Sequence, residues 1–263
     1  MYTTILAPNP SLMTGLGTNT ILVGDGSEGV NVIDPAVDDD EYLATLIREG
    51  EARGGIRRIL ITHGHNDHLG GAVALRQRLH VPVLAYSQEG AACADEYIAD
   101  GQRFSVGDDT LCAIYTPGHR FDHLCFLLER QRILFAGDLL GGNTTVVIAP
   151  PDGDMMQYLQ SLALIQQYDL LQIIPGHGPV ITDPQEKVRK YIEHRLLREQ
   201  QILAVLQNAS DGMAITFLVQ QMYRGVDVRL HAWAARSVEA HLLKLRQEQR
   251  VWCDQSGNWH LSD

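Results

Sequence analysis

The stretch "ILITHGHNDHLGG" spans residues 59–71. It opens with an apolar run that reads as a buried strand and ends in a glycine pair. Between them, His63, His65, Asp67 and His68 fall within six positions. The apolar run predicts a strand ending at Thr62, and Gly64 with Gly70–Gly71 relaxes the backbone of the turn that follows. A helix is expected to begin near Asp67 and His68. His63 and His65 sit two residues apart, so in an extended turn their rings point the same way. Imidazole nitrogens and a carboxylate suit zinc, which takes N and O ligands at about 2.0–2.2 Å. Four such groups in so short a span can supply part of two adjacent sites.

The 263 residues suit one large domain, or one domain with an appendage. Hydrophobic residues make up 45%, enough for a full core. No stretch approaches the ~20 apolar residues of a membrane span. The opening "MYTTILAPNPSLMTGLG" lacks a basic start and is broken by prolines, so no secretory signal is expected. Cys93, Cys112, Cys125 and Cys253 form no CxxC pair and read as reduced thiols of a cytoplasmic protein. The net charge of −11 argues against general nucleic-acid binding. It is uneven, however. Residues 187–263 hold 11 Lys/Arg against 8 Asp/Glu, and the rest of the chain holds 10 against 24.

Short runs rich in Val, Ile and Leu recur at 20–24, 30–34, 58–62, 81–86, 111–116, 123–129, 132–137 and 172–176, and read as buried strands. Helical patterns lie at 38–50, 69–79, about 87–97 and 154–167, the last capped by Asp152 or Asp154. This alternation predicts an α/β protein with two sheets, or one large sheet, under helical cover. From Pro184 the texture changes. One long helix, two shorter ones at about 214–223 and 230–247, and a hairpin in "RVWCDQSGNWHL" predict a small winged-helix-like unit at 184–263, following a domain at 1–183.

"HGHNDH" at 63–68 resembles the H-x-H-x-D-H signature of the metallo-β-lactamase superfamily. The later loops are similar too: "YTPGHRFDH" carries His119, "LFAGDLLGG" carries Asp138 and "IIPGHGPVI" carries His177. The resemblance implies an αββα sandwich holding two zinc ions, with iron or manganese as alternatives of compatible ligand chemistry. His63, His65 and His119 would bind one, Asp67, His68 and His177 the other, and Asp138 would bridge them. Two such ions hold a bridging hydroxide as nucleophile. Asp67 and Asp138 are the implied catalytic carboxylates, with Asp67 orienting the hydroxide or carrying a proton. Asp34, ending "VNVID", matches the early Asp that supports the histidine loop. His123 is open between touching substrate and capping the next strand, and Asp122 is equally open.

Subclasses that cleave β-lactams carry Cys or Ser where this chain has Asp138, so antibiotic hydrolysis is not expected. Over nearly its whole length the chain is similar to the beta-lactamase-like protein 2 subgroup, with glyoxalase II a more distant cousin sharing the bridging Asp. In that subgroup the animal member is regarded as a single-strand endoribonuclease, and fungal relatives release polyketides from carrier proteins as thioesterases. Two readings follow. A small-molecule acyl hydrolase acting on a thioester, ester or lactone fits the acidic chain. An RNA endonuclease fits the basic tail, where Arg195, Arg198, Arg229, Arg236, Lys244 and Arg246 could meet phosphates. The first is preferred, because ordinary surface pairing accounts for most such arginines. Oligomeric state is not legible.

Overall fold

A computed structural model describes residues 2–143, 145–225 and 227–262. The first sheet runs in the order β1 (Tyr2–Leu6), β2 (Asn19–Gly24), β3 (Val30–Ile33), β4 (Ile56–Leu60), β5 (Val83–Ala85), β6 (Glu96–Tyr97). β1 to β3 pair antiparallel, and β3 to β6 pair parallel. The second sheet comprises β7 (Arg103–Val106), β8 (Asp109–Tyr115), β9 (Leu124–Leu128), β10 (Ile133–Phe135) and β11 (Gln172–Ile174). It is antiparallel except for the β10–β11 pair.

Side-chain alternation along the strands builds three stacked cores. Ile21 and Val23 join Leu111, Ala113, Phe126 and Phe135 between the two sheets. Leu22, Val32 and Ile59 point the other way, onto helices α1 (Asp40–Glu51) and α3 (Ala72–Leu79) through Leu43, Leu46 and Leu75. Cys112, Ile114, Cys125 and Leu127 pack beneath α4 (Met155–Ile165) and the start of α5 (Pro184–Gln207), against Tyr158, Leu162, Val188 and Tyr191. This is the expected helix–sheet–sheet–helix sandwich.

Three of these helices begin where the sequence offers a cap. Asp39, Asp154 and Asp183 accept the backbone N–H of Tyr42, Gln157 and Glu186, satisfying donors that have no partner inside the helix. Pro184 fills the first turn of α5.

Beyond α5 lie α6 (Ile215–Met222), α7 (His231–Gln247) and the hairpin β12 (Val251–Cys253)–β13 (Trp259–Leu261). They enclose a fourth core of Leu218, Val238, Leu242, Val251 and Trp259, to which α5 adds Ile202 and Leu206. The first half of α5 thus belongs to the sandwich and its second half to the C-terminal unit. The change of core falls inside this helix, whereas the change of composition falls at its start.

Three expectations need correction. Residues 87–97 are not helical: Ser87 closes a turn by accepting Gly90 N–H, and Asp95 bonds Val83 through both backbone and carboxylate, drawing the chain into edge strand β6. The pattern at 69–79 splits into α2 (Asn66–Leu69) and α3, because Gly71 N–H leaves the helical ladder for Pro35 O at 2.8 Å. Strands β1 and β7 were not foreseen, since each is short and half polar.

Candidate metal centre

Strands β3, β4, β8, β10 and β11 each end in a loop that carries a site residue. Within each sheet these strands run the same way, so their loops gather at one end. Asp34 stands just after β3 at φ 55°, a left-handed geometry that Asp tolerates better than most residues. One carboxylate oxygen accepts Thr62 N–H at 2.8 Å. The other accepts the Thr62 hydroxyl and lies 2.7 Å from His68 Nδ1. The Thr62 hydroxyl, having given its proton to Asp34, accepts from His63 Nδ1 at 3.0 Å. His119 Nδ1 donates to the Val147 carbonyl at 2.9 Å.

These outer partners fix the tautomers. A ring whose Nδ1 carries the proton presents a bare Nε2 lone pair. His63 Nε2 and His119 Nε2 accordingly face His65 Nδ1, at 2.9 and 3.0 Å. One proton on His65 can satisfy only one of these two neighbours, whereas a cation satisfies all three nitrogens. Burial and the neighbouring imidazoles hold His63 well below its ordinary value and bring His65 to about 4; burial also lowers His119. All three are therefore neutral donors at physiological pH.

The second group has the opposite electrostatics. His68 Nε2 lies 3.3 Å from His177 Nε2, which in turn lies 3.3 Å from Asp67 Oδ2. Burial presses both imidazoles downward, but Asp138 with Asp34 outweighs it at His68, and Asp138 with Asp67 does so at His177, so both are raised. Burial likewise opposes ionisation of Asp138, yet His68 and His177 hold its carboxyl well below the usual range. This pocket of carboxylates calls for positive charge, which protons supply if no ion does.

Asp138 joins the groups. Its Oδ1 is 3.5 Å from both His68 and His177, while its Oδ2 is 3.6 Å from His119. One oxygen faces each cluster. The donor atoms of His63, His65, His119 and Asp138 lie within 4.8 Å of one another, as do those of Asp67, His68 and His177. Geometry and donor chemistry both fit a pair of divalent ions.

Of the residues singled out in the sequence, all seven candidate ligands and Asp34 come together. His123 does not reach substrate space. It is fully buried; its Nδ1 meets Thr116 Oγ1 at 2.9 Å, and its Nε2 accepts Asp138 N–H at 3.0 Å. Both nitrogens are spent on positioning the Asp138 loop. Gly137, at φ 46°, permits that approach, since a Cβ there would sit 2.8 Å from both His123 Nε2 and Thr62 Oγ1. Asp122 is also structural: it accepts Gly64 N–H at 2.9 Å and Arg120 Nε at 2.7 Å, tying the His63 loop to the His119 loop. Thr62 and Thr116 escaped sequence reading because lone threonines at strand ends carry no spacing signal.

A cleft of about 520 Å³ opens above the site, within the usual range for small-molecule pockets. Met13, Val147, Trp233 and Arg236 wall it beside the candidate ligands. Trp233 and Arg236 come from α7, so the C-terminal unit closes one side of the cleft. Arg229 pairs with Asp227 and Lys244 with Glu199 and Glu248, while Arg246 lies over Trp259. These three basic side chains are accounted for locally.

Residues 13–177 match the metallo-beta-lactamase superfamily, and residues 215–259 match the beta-lactamase associated winged helix domain. The chain is 33% identical to a beta-lactamase-like protein 2 homolog of Caenorhabditis elegans, covering 92% of this chain and 81% of the relative. It is 35% identical to an atrochrysone carboxyl ACP thioesterase of Aspergillus chevalieri, covering 94% and 81%. A metallo-beta-lactamase family protein of Thermus thermophilus superposes with a TM-score of 0.82 at 19% identity, over 99% of this chain and 98% of that one, a likeness of fold. Matched family, matched sandwich and converged His/Asp donors lead to one conclusion: the chain belongs to the metallo-beta-lactamase superfamily and is a metal-dependent hydrolase.

Proposed function

We propose that the chain hydrolyses a small acyl thioester, ester or lactone at two zinc ions. His63, His65 and His119 would hold one ion and Asp67, His68 and His177 the other, with Asp138 shared between them. The observation that carries this reading is Asp138 offering one oxygen to each histidine group. Bound metal would supply polarisation of the scissile carbonyl and acidification of a water molecule. The protein's own residues do the rest. Asp67 is about one-third exposed to the cleft, where its carboxylate can orient that water and take its proton. Asp34, Thr62, Thr116 and His123 keep the donors at fixed angles. Met13, Val147 and Trp233 exclude water from the acyl chain.

The acidic chain favours an acyl substrate over RNA, and the thioesterase name of the Aspergillus relative points the same way. An endoribonuclease is the second reading, favoured by Arg236 on the cleft wall, which a phosphate would share with Glu239, 2.6 Å away. All four cysteines are free, which supports a reducing, cytoplasmic setting, and no helix among the described residues is long and apolar enough to cross a membrane.

The test is a panel of acyl thioesters, esters and lactones run beside labelled single-stranded RNA. The protein should never have met a chelator, and its metal should be counted by mass spectrometry. Two zinc ions per chain and acyl turnover abolished by Asp138→Ala are expected. Cleavage of RNA alone would establish the second reading, and a metal-free native protein with full activity would overturn both.

A further inference from the structure

A further cavity adjoins the cleft over the metal centre. This second chamber of about 400 Å³ shares Met13, Thr145, Val146, Val147 and Trp233 with it, so the two lie side by side along that wall. The common wall is mostly apolar. The far chamber adds His194, Arg195, Arg198 and Tyr223, and among the described residues no carboxylate lines it. The near chamber, in contrast, is lined by Asp67, Asp138 and Asp152.

The two arginines of the far chamber are unusual in so acidic a chain. Among the described residues neither has a carboxylate partner. Arg195 is only 3% exposed; it donates to the Val146 carbonyl and lies 5.2 Å from the Tyr158 ring, and its Nε is buried with no hydrogen-bond partner. Arg198 donates to Gln201 Oε1 at 2.8 Å and stacks 4.5 Å from the Tyr223 ring. His194 lies beside them on the same wall, its Nδ1 buried and unpartnered. Burial, and after it Arg195 and Arg198, lowers His194 to about 4, so this imidazole is neutral there. A guanidinium held out of water without a counter-ion is destabilising unless something else compensates it. Here the aromatic faces supply part of that compensation, and an anion in the chamber would supply the remainder.

We infer that this chamber is a specificity subsite for an anionic group at the far end of the substrate, joined by an apolar chain along Met13, Val147 and Trp233 to the bond cleaved at the metal centre. The inference rests on the acyl-hydrolase reading above and narrows it to anionic acyl thioesters. The anion is a carboxylate on the acyl side or a phosphate on the thiol side; both are recognised by the same guanidinium chemistry.

Three thioesters separate the sources: hexanoyl-N-acetylcysteamine (neutral), adipyl-N-acetylcysteamine (acyl-side carboxylate) and hexanoyl-4′-phosphopantetheine (thiol-side phosphate). In zinc-loaded protein, Arg198→Gln should lower the preference for one anionic thioester over the neutral one by about tenfold or more, through KM rather than kcat. Arg198→Lys should restore part of it. Whichever anionic compound loses its advantage names the source. An unchanged preference in Arg198→Gln overturns the subsite. Calorimetric binding of adipate and of 4′-phosphopantetheine to the wild type and to Arg198→Gln needs no turnover. Binding that depends on Arg198 without hydrolysis of any thioester would uphold the chamber and sink the acyl-hydrolase reading alone. Arg198-dependent cutting of decauridylate, with no thioester turned over, would assign the chamber to a backbone phosphate and overturn the acyl inference.

Discussion

Asp34 shows how much one carboxylate can organise. It binds the Thr62 backbone, the Thr62 hydroxyl and His68, and through Thr62 it sets the tautomer of His63. It therefore orders one candidate ligand in each group while touching neither ion position. Asp34→Asn keeps the shape but replaces one accepting oxygen with a donor. The expected result is a fall of about 10–100-fold in metal affinity, read by competition with a chromophoric chelator, with the fold intact by circular dichroism. Unaltered affinity would show that Thr62 and the backbone suffice. His123 teaches the converse. Its spacing from His119 left substrate contact open, and only the packing around Thr116 and the Asp138 amide shows that neither nitrogen is free.

At the scale of elements, the site depends on loops pressed against helices. Gly118, directly before His119, has φ 136° and lies against the first turn of α4. A Cβ there would come within 2.2–2.3 Å of the Tyr158 backbone. Gly118→Ala should therefore destabilise the protein by on the order of 2–4 kcal/mol, measured in urea, from backbone strain added to overpacking. It should also cut hydrolysis sharply, because His119 must move with the loop. Full activity at reduced stability would show that the loop adjusts without displacing the imidazole. The strands of the sandwich were legible because a continuous apolar run between turn residues has few other outcomes. Residues 87–97 were misread because their alternating small and acidic residues suit a helix as well as a turn, and Asp95 bonding back to β5, twelve residues earlier, decided the matter.

For the whole molecule, α5 is the shaft that fixes the C-terminal unit to the sandwich. Past the middle of its length Glu199 is buried against α7, with Lys244 Nζ at 3.0 Å and His241 Nδ1 at 3.5 Å. Burial opposes its ionisation, but His241 and Lys244 outweigh that and lower its carboxyl. A depressed carboxyl adds stability that is fully present above its unfolded value, near ~4.3, and is lost as pH falls through the folded value. Glu199→Gln should cost about 1–3 kcal/mol at pH 7, and the difference should shrink below about pH 4. Urea melts of both metal-free proteins would show this, and a gap independent of pH would assign the effect to packing alone. Chelation should lower the melting temperature of the native protein by roughly 5–10 °C, since ions bound only by the folded state stabilise it. An unmoved transition would mean that the folded protein had held no ion to lose. The sequence by itself determined the donors and their order along the chain, because histidines and aspartates at strand ends, at such spacing, serve few other purposes. Only the tertiary structure decided which oxygen of Asp138 faces which group, that His123 is spent on positioning, and that α7 walls the cleft while the arginines of α5 line the chamber beside it. Those facts arise where segments far apart in sequence pack together, and local pattern carries no trace of such contacts.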